Sequence, residues 1–203
     1  MGLGVVLVLV VYSPSGQRSG AHTNRAVTLA FWQLGKIQRA DALWYVLAQA
    51  TGGTGALWLL RLAPYYAHPC IHFLTTKPGA GGAALAFAAE FGMSGVLMGV
   101  LLLALASARL HRATGWLLGA LLAAYIVCET SCSGVSVNPL RSRTAAVVAG
   151  DFTGLWGYAL APTAAMWLVA GRQAAGTLGP ERLAKLPCYP AAPACGEPVA
   201  GPK

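Results

Sequence analysis

Two short segments hold the residues whose types and spacing could do chemistry in this chain. The first reads Ser19-Gly20-Ala21-His22-Thr23-Asn24-Arg25-Ala26-Val27-Thr28, and the second Ser133-Gly134-Val135-Ser136-Val137-Asn138-Pro139-Leu140-Arg141-Ser142. Ser, Gly and Asn recur in register, 114 positions apart. A helix starting near each Asn leaves unsatisfied N–H groups and a partial positive charge at its N-terminus. Two such ends meeting inside a membrane would hold two carboxamide donors for a passing water or hydroxyl, and would repel protons and cations. Asn138-Pro139 alone is an ordinary turn signal. Two in-register copies between apolar runs favour the paired half-helix reading.

The elements that must position these segments are apolar. Of 203 residues, 56% are hydrophobic and only 10% charged, where soluble chains carry about 25% charged residues. Runs at 42–60, 83–106, 115–128 and 155–170 are candidate spans, since crossing the hydrocarbon core takes about 20 residues. Met1–Tyr12 is apolar but short, with no preceding basic residue and no small-residue cleavage site after it; it is expected to be the remainder of a longer helix. Irregular backbone between such runs survives at membrane depth only where protein or a water-filled cavity surrounds it.

The net charge of +8 has no basic stripe interleaved with aromatics, which argues against nucleic acid. The basic residues instead sort by loop. Ten of the fourteen Lys and Arg fall in 13–41, 107–113 and 172–203, which places those segments on the cytoplasmic side and the C-terminus inside. The cysteines Cys70, Cys128, Cys132, Cys188 and Cys195 show no zinc-ligand spacing and read as packing residues and free thiols.

In order, the chain is expected to form a helix (1–12), a re-entrant segment (18–36), a span (41–60), a loop rich in Pro and His (61–82) and a span (83–106). A basic turn (107–113), a span (114–128), a second re-entrant segment (130–149) and a last span (154–171) follow. A channel-like domain over 1–172 would thus precede a Pro-rich, disordered tail over 173–203. Gly95 with Gly99 and Gly115 with Gly119 give small-xxx-small spacing, expected to pack helices within one bundle.

SGAHTNRAVTLAFWQLGK resembles the first signature of the aquaporin and glycerol-facilitator (major intrinsic protein) family, and SGVSVNPLRS followed by AGDFTGLWGYALAP resembles the second. The likeness covers about residues 1–172. It implies an all-α polytopic membrane protein: an aquaporin-like right-handed bundle, here of about five spanning helices plus two re-entrant half-helices. It also implies passive conduction of water or small neutral solutes such as glycerol across a plasma or inner membrane, with a homotetramer as the assembly. Asn24 and Asn138 match the paired asparagines and Arg141 the arginine of the outer constriction, whose donors would bind solute oxygens and repel cations. Counting at the family's spacing gives Gly4, Ile126 and Val135 as the other filter positions. That set is open and apolar, which favours uncharged solutes beyond water. Glu90, an acid within an apolar run, matches a buried Glu that braces loop backbone.

The chain departs from the family pattern in three ways. A first helix with its acid, which the family carries opposite Glu90, is expected but not seen ahead of Met1. The first motif reads Asn24-Arg25-Ala26, where the family has Pro in the middle, and the second reads Asn138-Pro139-Leu140, with Leu in place of Ala. Proline suits the first helical turn because its missing N–H would be orphaned anyway. A central arginine costs from ~2.5 to more than ~10 kcal/mol. The expectation is a conduit impaired by these changes; a non-conducting subunit that associates with intact channels is the alternative. Spans without paired acids or a Ser/His/Asp set argue against an enzyme, and no cofactor or metal is expected. His22 reads as a packed vestibule residue, and His68 and His72, with Pro69 between them, as loop residues.

Overall fold

The structure, a computed structural model, describes residues 2–63, 74–173 and 175. His68, His72, Cys70, the start at Met1 and the tail beyond 175, with Cys188 and Cys195, lie outside the described residues. Within them the chain is helical: α1 (Gly2–Tyr12), α2 (Pro14–Ser19), α3 (Arg25–Gln33), α4 (Arg39–Leu60), α5 (Gly82–Ala106), α6 (Thr114–Ser133), α7 (Pro139–Ala149) and α8 (Leu155–Arg172). Two stretches, Gly82–Ala106 and His111–Ser133, are long and apolar enough to cross a membrane. The all-α architecture with two short inserted helices is the expected one.

The short helices are made by local sequence. Asn24 and Asn138 each take an extended backbone and cap the helix that follows, accepting from the N–H of Ala26 at 2.9 Å and of Leu140 at 3.1 Å, the usual N-cap bond. Pro139 fills the first turn of α7; Arg25 fills it in α3. A glycine with positive φ follows both helices, Gly150 directly after α7 and Gly35 one residue past the Leu34 cap of α3. Beyond each, the N–H of Lys36 and Asp151 returns to the carbonyls of Phe31 and Ala146, which satisfies carbonyls the helix leaves open.

Two local features differ from the sequence reading. α2 was not foreseen; Ser13 caps it and Pro14 sits in its first turn. α6 continues to Ser133 rather than ending near 128, because no breaker intervenes before Gly134, which turns at φ 76°.

The long helices pack as two interlocked halves. α5 lies on α6 and α8, and α1 crosses α6; α3 rests on α4 and α8, and α7 on α8 and α4. Each short helix therefore touches the long helix that follows the other copy. Phe31, Met98, Leu102 and Met166, all buried, centre the core where α3, α5 and α8 meet. Apolar side chains gain little by leaving lipid, so close approach through small residues has to hold such a bundle. Ala26 and Ala30 on α3 and Ala161, Ala165 and Ala170 on α8 are essentially inaccessible. The outer surface is apolar instead, with Trp44 70% and Val127 71% exposed.

The Gly115–Gly119 pair packs within the bundle, Gly115 beside Tyr12 and Val11, and Gly119 against Gly4. Gly95 has only Val169 near it, and Gly99 faces open space.

Candidate functional site

The two half-helices meet tip to tip. Asn24 Nδ2 donates to the Val137 carbonyl at 2.7 Å, and Asn138 Nδ2 donates to the Thr23 carbonyl at 2.8 Å. Each carboxamide thus spends its oxygen on its own helix and one hydrogen on the opposite loop. The second hydrogen of each is left for another acceptor.

Glu90 fixes the second loop from α5. It is fully buried, and its Oε1 accepts from Ser136 N at 2.7 Å and Ser133 Oγ at 3.0 Å while Oε2 accepts from Val137 N at 2.7 Å. These contacts hold backbone that L-residues avoid: Val135 and Val137 sit at φ 49° and 52°, each costing of order 1–3 kcal/mol. The first loop shares part of this shape. Gly20 and Ala21 match Gly134 and Val135 with φ 70° and 50°, but Thr23, the counterpart of Val137, is not in the left-handed region.

Other ties repeat in both halves. Tyr45 Oη donates to Ser19 O at 2.8 Å and Tyr158 Oη to Ser133 O at 2.7 Å. In the first half Gln49 Nε2 donates to His22 O at 2.6 Å and lies 3.1 Å from Thr28 Oγ1. His22 is buried between Phe31 and Tyr45, its Nδ1 3.3 Å from Thr28 Oγ1. In the second half Ser142 Oγ joins Thr76 Oγ1 at 2.5 Å and Ser136 Oγ at 2.6 Å. That hydroxyl chain pins Thr76, ahead of α5, onto α7.

Two cavities flank this junction. The larger, about 550 Å³, runs past Leu7, Val10, Leu101 and Leu118 to Asn24 and Asn138. The smaller, about 230 Å³, lies between α4 and α7. Thr23, Asn138 and Arg141 border both. Arg141 Nη1 is buried with no hydrogen-bond partner, a donor held ready in an otherwise apolar wall.

A family model described as major intrinsic protein matches residues 1–170. The chain belongs to the major intrinsic protein family. It is 37% identical over 164 residues to aquaporin NIP1-2 of Oryza sativa subsp. japonica, covering 78% of this chain and 54% of that protein. It is 35% identical over 160 residues to nodulin-26 of Glycine max, covering 78% and 58%. The chain thus spans little more than half the length of these relatives. Among solved structures, the aquaglyceroporin from Plasmodium falciparum superposes with a TM-score of 0.75 at 17% identity, over 89% of this chain and 82% of that one, which shows the shared fold.

Within this major intrinsic protein, the expected site residues fall into three groups. Asn24, Asn138, Val135 and Arg141 border the larger cavity together. Gly4 and Ile126 do not. Gly4 lies on the α1–α6 crossing, where a Cβ would overlap the Gly119 carbonyl oxygen, and Ile126 packs against the core cluster. The four expected filter positions are therefore not gathered on one wall, because close glycine packing turns Gly4 toward α6. Arg25 is half-buried and borders neither cavity; Ala26, Pro139 and Leu140 are buried at the junction, with Leu140 on the α4 side. Sequence reasoning missed Gln49, Tyr45 and Tyr158. A polar residue inside an apolar run, the signal that singled out Glu90, would also have pointed to Gln49.

Proposed function

We propose that this chain is a passive conduit for water and small uncharged solutes such as glycerol, with the path running past Asn24 and Asn138. The observation that carries this reading is the reciprocal pair of Asn–carbonyl hydrogen bonds, flanked by two cavities. Each Asn keeps one donor for a passing oxygen, and two helix N-termini set a positive potential against protons and cations. Arg141 and Val135 act as the filter, the guanidinium holding solute oxygens beside an apolar wall. Glu90 braces the loop and relays no proton. The same family reading covers a bilayer-embedded homotetramer with its C-terminus on the cytoplasmic side, a channel domain over 1–172 and a separate tail.

Arg25 weakens conduction. It places a cation in the first turn of α3, where the helix already carries partial positive charge, and forms no ion pair among the described residues.

Proteoliposomes under an osmotic step test the proposal by stopped-flow light scattering. Vesicles with the protein should shrink faster than empty ones and re-swell faster when glycerol is the osmolyte. Rates equal to those of empty vesicles for both solutes would contradict it and favour the non-conducting subunit.

A further inference from the structure

We infer that Cys128 and Cys132, at the C-terminal end of α6, form a two-thiolate site for a soft monovalent metal ion, Cu(I). Four positions apart on one helix, the two side chains share a face. Neither is the packing residue expected from sequence: Cys128 is exposed, Cys132 is half-buried, and both are free thiols. Glu129, Thr130 and Ser131 between them are polar, and Thr130 and Ser131 are exposed. The Cys132 carbonyl accepts from Gly79 N at 3.0 Å, close in sequence to Lys77, whose exposed ammonium pairs with Asp151. This end of α6 therefore lies among polar and charged groups, where an ion can reach the sulfurs. Neither cysteine borders either cavity, so the site stands apart from the conduction proposed above.

The spacing selects the chemistry. Cβ atoms four residues apart on a helix are about 5–6 Å from each other, whereas a disulfide needs about 3.5–4.5 Å. The helix thus keeps the thiols from joining. Two metal–thiolate bonds of about 2.3 Å, set in line, hold their sulfurs about 4.6 Å apart, a span that suits side chains turned toward each other from those Cβ positions. Among the described residues no group of three His, Cys, Asp or Glu could hold a metal, which disfavours zinc and its four ligands. Cu(I) is soft, prefers thiolate and is satisfied by two ligands in line. On binding, each thiol gives its proton to solvent as its S–Cu bond forms, and copper stays Cu(I) throughout. A metal bridging this turn also braces the start of the second asparagine loop. The next residue, Ser133, donates through its hydroxyl to Glu90 Oε1 at 3.0 Å, and its carbonyl accepts from Tyr158 Oη at 2.7 Å.

The test titrates Cu(I), supplied as its bicinchoninate complex, into the full chain in detergent, carrying Cys70→Ser, Cys188→Ser and Cys195→Ser. This parent protein should take up about one Cu(I) per chain. Adding Cys128→Ser or Cys132→Ser should weaken uptake by about a hundredfold or more. A further variant, Cys132→Ser with Thr130→Cys, keeps two thiols but sets them about 200° apart around α6. It should bind no better than the variants with a single thiol. Uptake by this moved-thiol variant equal to the parent's would show adventitious capture by thiols and overturn the site. Uptake absent from the parent, or unchanged by either added serine, would overturn it as well. Copper should raise the thermal midpoint of the parent and not of the serine variants; a parent midpoint indifferent to bound copper would overturn the brace.

Discussion

Asn24 and Asn138 donate to each other's loops: Asn24 Nδ2 reaches Val137 O, and Asn138 Nδ2 reaches Thr23 O. Each side chain also caps its own helix. One carboxamide therefore orients a helix tip, locks the opposite loop and keeps a hydrogen in reserve. A carboxylate of the same shape can cap but cannot donate. Asn24→Asp and Asn138→Asp should keep the caps, set a carboxylate against a carbonyl oxygen and cut solute flux more than about tenfold. Stopped-flow rates at matched protein density check this.

Glu90 should carry much of the second loop's order. Glu90→Gln keeps one acceptor but turns an N–H toward the donors it replaces. Loss of a charge-assisted hydrogen bond is expected to destabilise the fold by roughly 1.5–3 kcal/mol. The thermal midpoint in detergent should fall, and the amides of Ser136 and Val137 should exchange faster. A midpoint equal to wild type would remove the brace.

How much of this was legible in the sequence depends on how local the cause is. The tips at Asn24 and Asn138 were, because Asn, Pro and Gly act on their own backbone. Glu90 was too, since an acid in an apolar run needs partners. The filter set was not, because each residue turns a helix face by about 100°, and spacing alone cannot say that Gly4 turns toward Gly119. Nothing local suggests that β-branched Val137 takes a positive φ. That conformation is held from afar, by the carboxylate of Glu90 on α5, 47 residues away, on the Val137 N–H and by Asn24 on its carbonyl.

Arg25→Pro should help α3. It removes a cation from a helix N-terminus, worth about 0.3–1 kcal/mol, and supplies the residue that Pro139 provides in the second copy. Flux should rise in Arg25→Pro and, less, in Arg25→Ala. Equal flux in wild type and both variants would show that Arg25 does not impair conduction.

Acid should loosen the Lys77–Asp151 clasp. Lys77 Nζ lies 2.5 Å from Asp151 Oδ2, and Thr153 N donates to Asp151 Oδ1 at 3.0 Å. The lysine and then the amide hold the Asp151 carboxyl well below its ordinary value of 3.8. A depressed carboxyl favours the folded state above its unfolded value, and that contribution fades as pH falls below about 3.8. Lys77 is exposed and Asp151 only half-buried, so the effect is small. Wild type should exceed Asp151→Asn in thermal midpoint at neutral pH, and the gap should close with acid. A gap independent of pH would rule this clasp out.

The measurement that bears most directly on the central claim is block by a thiol reagent at one side chain beside the asparagine pair. Val27 borders the larger cavity one turn beyond Asn24, whereas Gly52 is exposed on α4. With the native cysteines replaced by serine, a mercurial should stop flux through Val27→Cys and leave Gly52→Cys conducting. Undiminished flux through a fully labelled Val27→Cys protein would mean that solute does not pass between the two helix tips.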